Sequence, residues 1–144
     1  MPVSVARALL DTSAVLAALE GEPGCEDIRA RLIGADAGKS ALFVSFATLA
    51  EVYYIAYHEH GAVKAADFVA VLRGWPVTFS YPDEALTLSA GAPKATHAIS
   101  FADAFIAATA LRFDAELAHK DPEFESLSGK LKLAPLPDKP RRAK

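Results

Sequence analysis

The chain has 144 residues, 52% of them hydrophobic and 23% charged, with one cysteine and a formal net charge of -3. That size and apolar content suit one compact domain, and the lone Cys25 excludes an internal disulfide, a thiolate zinc site and an iron–sulfur cluster. The charge is uneven: residues 130–144 carry six basic side chains against Asp138, leaving nine basic and seventeen acidic residues elsewhere, which excludes a body that holds nucleic acid by general positive charge.

In chain order, Ala8-Leu9-Leu10 is a short apolar run ending at Asp11, and residues 12–20 continue with Val15, Leu16 and Leu19 at helical spacing, so a strand followed by a helix is expected. Gly21, Pro23 and Gly24 punctuate. Ile28, Leu32 and Ile33 mark a second helix, and 34–40 reads as a loop. Leu42-Phe43-Val44 is a second buried strand, after which Ser45 caps a long helix ending near Gly61, with Phe46, Leu49, Ala50, Tyr53 and Tyr57 on one stripe. A further helix is expected over 62–73. Gly74 and Pro76 bracket a turn before Val77-Thr78-Phe79, a third strand, and 82–90 is helical with Leu86 and Leu88. Ser100 opens a helix over 101–113 with Phe105, Ile106, Thr109 and Ala110 inward; 115–119 is a fourth strand and Leu131-Lys132-Leu133 a fifth.

Short apolar strands separated by helices predict an α/β fold, a three-layer α/β/α sandwich around a mostly parallel sheet of four to five strands. Residues 1–134 are expected to form this single domain. The basic stretch 135–144, with Pro135, Pro137 and Pro140, is expected to be a flexible tail, either a solubilising end or an RNA-gripping arm. With no charged leader ahead of an apolar run and no long apolar span, a soluble cytoplasmic protein is expected.

In parallel α/β sheets ligands gather outside the carboxyl ends of the strands. Asp11 and Asp121 both directly follow a predicted strand, Asp103 lies in the first turn after Ser100, and Glu51 lies two turns into the helix after the second strand. All four are therefore expected at one sheet edge. Singly, the three aspartates also suit helix capping. Glu51 does not, because it stands in the apolar context Leu49-Ala50-Glu51-Val52-Tyr53, where an isolated buried charge would be costly. Clustered carboxylates repel one another unless cations occupy them, and hard oxygen ligands select Mg²⁺ or Mn²⁺. Such ions activate water against phosphorus.

These segments resemble the PIN domains, and within them the VapC-type toxin ribonucleases. The resemblance rests on Leu9-Leu10-Asp11-Thr12-Ser13, on Val44-Ser45 through Thr48-Leu49-Ala50-Glu51, on Phe101-Ala102-Asp103-Ala104-Phe105-Ile106-Ala107-Ala108, and on Asp121-Pro122-Glu123-Phe124. It implies the α/β/α fold and a Mg²⁺- or Mn²⁺-dependent endoribonuclease whose acidic, metal-holding site is Asp11, Glu51, Asp103 and Asp121. It further implies a toxin paired with a VapB-type antitoxin, and homodimers. One departure stands out: members commonly carry a small hydroxyl residue and glycine before the fourth acid, where this chain has His119-Lys120. His119 is left with three roles, as a phosphate donor, a metal ligand or a side chain pointing away, and Glu123 as a residue that shares or replaces the role of Asp121. Ser13 is positioned to support Asp11.

Gly38-Lys39-Ser40 lacks the earlier glycine of a phosphate-binding loop, and His58 and His60 lack the spacing of a helical zinc motif. The alternative function is a catalytically inactive PIN-like module that binds nucleic acid or a partner; the presence of all four acids speaks against it.

Overall fold

The computed structural model describes residues 5–137. Five strands, β1 (Ala6–Leu10), β2 (Ser40–Ser45), β3 (Thr78–Ser80), β4 (Glu116–His119) and β5 (Leu133–Pro135), form one sheet in the order β3-β2-β1-β4-β5. Every pairing is parallel. Parallel neighbours need crossovers, and these are supplied by α1 (Thr12–Glu20) and α2 (Cys25–Asp36), by α3 (Phe46–His60) and α4 (Ala62–Arg73), and by α5 (Glu84–Thr96) and α6 (Phe101–Arg112). A 3₁₀ helix, Pro122–Leu127, joins β4 to β5.

Side chains alternate across the strands, and both faces are covered. Leu9, Phe43 and Leu117 pack with Leu86, Phe105 and Ile106 of α5 and α6, while Leu10, Leu42, Val44 and Ala118 pack with Val15, Ile28, Val52 and Phe68 of α1 to α4. Burial on both faces is why these strands read as continuous apolar runs. The expected three-layer sandwich is thus observed, with a wholly parallel sheet. No helix among the described residues is long and apolar enough to cross a membrane.

Four local expectations need revision. Residues 34–36 belong to α2, which reaches Asp36 before the chain turns. Past Ala90, α5 continues to Thr96 with Pro93 in its last turn, where proline removes one amide donor without ending the helix. The fifth strand is shifted to Leu133–Pro135, because Leu131 is buried with the core on the α5 and α6 side and Leu133 pairs with Leu117. On α3 the packed face is Ala47, Thr48, Val52 and Ala56, whereas Tyr53 and Tyr57 are exposed. Of the expected stripe, Phe46 and Leu49 pack partly buried against the two cores, and only Ala50 and the tyrosines are turned outward. Gly61 ends α3 and starts α4 at φ 89°, a left-handed conformation that glycine adopts without a Cβ clash.

At the carboxy end of the chain, Pro135 pairs with His119, and the Leu136 amide donates to the His119 carbonyl at 2.8 Å. Of the stretch expected as a tail, residues 138–144 lie outside the described residues. The strand order turns between β1 and β4, so the carboxyl ends of these neighbouring strands form the crevice where ligands of such sheets collect.

Candidate metal-dependent active site

Asp11 leaves the end of β1 and caps α1, accepting from the Ala14 amide at 2.8 Å. The Ser13 hydroxyl lies 2.7 and 2.9 Å from its two oxygens and donates to the carboxylate. That hydroxyl itself accepts the Lys120 amide at 2.9 Å, and the Asp11 amide donates to Ala118. Asp11 is thereby tied to the carboxyl end of β4. Burial pushes its carboxyl up to about 7, against the lowering bonds from Ala14 and Ser13 and with the charges of Asp121 and Glu51 adding to the rise.

Glu51 is half-buried on α3. Thr12 donates to its Oε1 at 2.7 Å, and the buried Thr48 hydroxyl lies 3.1 Å from that of Thr12. Tyr54 donates to Oε2 at 3.2 Å. Both oxygens of the one acid that helix capping could not explain are therefore held by neutral donors. The Tyr54 phenol is raised by burial and by the charges of Glu51 and Asp103, which places it beside both acids.

Asp103 sits in the first turn of α6, its amide donating to Ser100 Oγ at 3.1 Å. Asp121 caps the 3₁₀ helix by accepting from the Glu123 amide at 2.9 Å. These two acids and Glu123 bring carboxylate oxygens within 4.8 Å of one another. Burial first, then the neighbouring Glu123 and Asp121, push the Asp103 carboxyl up to about 8, while the hydrogen bond with Asp103 holds Glu123 below the usual range.

The structure brings Asp103, Asp121 and Glu123 into one ligand cluster and sets Asp11 and Glu51 within electrostatic reach of it. Glu123 takes a place beside Asp121, one of the roles the sequence left open. His119 is buried, 2% exposed, with its Nδ1 3.0 Å from the Asp121 carbonyl and its ring meeting the edge of Phe124. Three supporting residues, Thr12, Thr48 and Tyr54, were missed. A usable signal existed, since Thr48 and Tyr54 stand three residues either side of Glu51 and so share its helix face.

All five acids offer hard oxygen ligands, and among the described residues none forms an ion pair with a lysine or arginine. A set of carboxylates with no lysine or arginine in ion-pair contact, and with only Lys94 acting on Glu123 from further off, fits a divalent ion.

A family model described as the PIN domain matches residues 8–130. The chain belongs to the PIN domain family. Sequence comparison with curated proteins finds no match. Solved structures share the fold of this PIN domain. VapBC2 from Rickettsia felis, bound to a DNA fragment from its promoter, is 17% identical with a TM-score of 0.72, over 91% of this chain and 99% of the other. DNA-bound VapBC from Salmonella typhimurium is 18% identical with a TM-score of 0.71, over 92% and 98%. VapC20 from Mycobacterium tuberculosis, a toxin that cleaves the sarcin–ricin loop, is 21% identical with a TM-score of 0.65, over 83% and 94%.

Proposed function

We propose that this PIN domain is a Mg²⁺- or Mn²⁺-dependent endoribonuclease and the toxin of a VapBC-type toxin–antitoxin pair. The observation that carries the reading is the acid cluster itself, with Asp103, Asp121 and Glu123 within 4.8 Å of one another at the edge where Asp11 also stands. A divalent ion held there would lower the pKa of a bound water enough to leave a hydroxide that attacks phosphorus, and would neutralise charge on the leaving oxygen.

The chain's own residues prepare that site. Asp11, Glu51, Asp103 and Asp121 are the metal-holding acids, with Glu123 sharing the role of Asp121. Ser13 and the Ala14 amide fix Asp11, and Thr12 and Tyr54 fix Glu51, so little reorganisation is left for the moment of binding. Because Asp103 holds a proton up to about pH 8, loading a cation near neutrality releases protons from the cluster.

The shared fold with VapBC complexes and with a loop-cleaving VapC supports RNA as the substrate class and a VapB-type antitoxin as partner; the homodimer is part of the same proposal and rests on the family resemblance. The test is Asp103→Asn, with Asp11→Asn beside it. Both are expected to lower Mn²⁺-dependent RNA cleavage by about a hundredfold or more with the far-UV spectrum unchanged, and to relieve growth inhibition on expression, as co-expression of an antitoxin from the adjacent gene does. Undiminished cleavage by purified Asp103→Asn protein overturns the metal-site reading.

A further inference from the structure

We propose that Tyr54 is a stacking platform for one unpaired base of the RNA strand held at the acid cluster, an inference that rests on the nuclease reading above. The phenol is fixed at its tip, because the hydroxyl donates to Glu51 Oε2 at 3.2 Å. The rest of the side chain stays open, with Tyr54 55% exposed. A ring anchored in this way has already lost rotamer freedom that a free surface tyrosine would lose on binding.

Tyr54 also stands apart from the other aromatic rings of α3 and α6. Tyr53 pairs with Tyr57, Phe101 with Phe105, and Phe105 with Phe46, whereas Tyr54 has no ring partner among the described residues. With no ring stacked on it, the half-exposed Tyr54 stands beside Glu51.

The chemistry of the rim agrees. The acidic cluster repels a phosphate chain, so the strand must be held by something other than general positive charge. A neutral ring face meets any base without that penalty, and base–aromatic stacking tolerates every sequence. In a duplex the base faces are covered by their neighbours, so a platform here selects an unpaired nucleotide. Two cations border the cluster on other sides. Lys94 acts on Glu123, and Lys120 follows β4, with its Nζ 2.8 Å from the Pro23 carbonyl and its amide on Ser13.

The experiment measures binding without cleavage, in EDTA, with the full chain and two labelled probes: an adenosine hexanucleotide and the same ribose–phosphate strand without bases. Wild-type protein is expected to bind the hexanucleotide five- to a hundredfold more tightly than the baseless strand. Tyr54→Ala and the bulkier Tyr54→Leu are expected to lose most of that ratio, while Tyr54→Phe, which keeps the ring but not its anchor, is expected to keep more of it than either. An unchanged ratio in both non-aromatic variants, a ratio near one in the wild type, or an altered oligomeric state with the ratio intact overturns the platform. Base-dependent binding by a protein that cleaves no RNA in Mn²⁺ instead overturns the nuclease reading and leaves the platform standing.

Discussion

Asp11 and Asp103 are buried acids held up to about 7 and about 8, and this has a measurable sign. Each binds its proton more tightly folded than unfolded, so its contribution to stability is fully present below about pH 4 and is lost as pH rises through the folded value. Metal-free protein in EDTA is therefore expected to melt at a lower temperature at pH 8.5 than at pH 5.5. Mn²⁺ should raise Tm more at the higher pH, and a melting series with and without the ion checks both. Asp11→Asn removes that charge while keeping an oxygen for the α1 cap, so it is expected to stabilise the metal-free protein at pH 8.5, on the order of 2–4 kcal/mol. Glu51 depends on neutral donors instead. Thr12→Val keeps the shape but removes the 2.7 Å bond, with an expected loss of about tenfold or more in kcat; steady-state kinetics with a defined RNA separates this from a change in KM. Glu51 stood out in the sequence because a charge in an apolar run needs a reason, whereas each aspartate also read as a helix cap. Thr12 and Tyr54 did not stand out, since a threonine in a first helical turn and a tyrosine on a helix surface are ordinary until their partner is located.

Among the elements, caps and strand ends were the most legible features. Asp11, Ser45, Ser100 and Asp121 all cap the element that follows them, because the unpaired amides of a first turn demand an acceptor and few side chains supply one. The packed face of α3 was illegible. Aromatic size suggests burial, yet the face that packs carries alanine, threonine and valine, and nothing local reveals that choice. The fifth strand slipped for a similar reason: Leu131 and Leu133 are equally apolar, and only the long-range pairing with Leu117 chooses between them. Gly24 depends on such a distant contact too. At φ 96° it opens α2, and an added Cβ would come within 3.2 Å of Leu136 Cβ. Gly24→Ala is expected to destabilise by about 1–3 kcal/mol, read by urea unfolding as a lower midpoint at constant slope.

For the whole molecule, the wholly parallel sheet brings together residues far apart in sequence, with Asp11 beside the end of β4 and Leu136 against Gly24. Ending the chain after Lys132 would remove β5 and Leu136, opening the edge of β4 and the buried His119. Such a truncation is expected to cost several kcal/mol, and a calorimetric scan should show a greatly lowered Tm or no cooperative transition. The chain order also sets when the proposed site is completed. A nascent chain that has emerged only as far as α5 displays Asp11 and Glu51 but neither Asp103 nor Asp121, and it lacks the strand against which Asp11 is tied. If the proposed ribonuclease activity holds, synthesis beside ribosomal and messenger RNA is safe until the last third of the chain is released. The interval between release and assembly of β4 and β5 is then when an antitoxin already made can meet its toxin before the first cut.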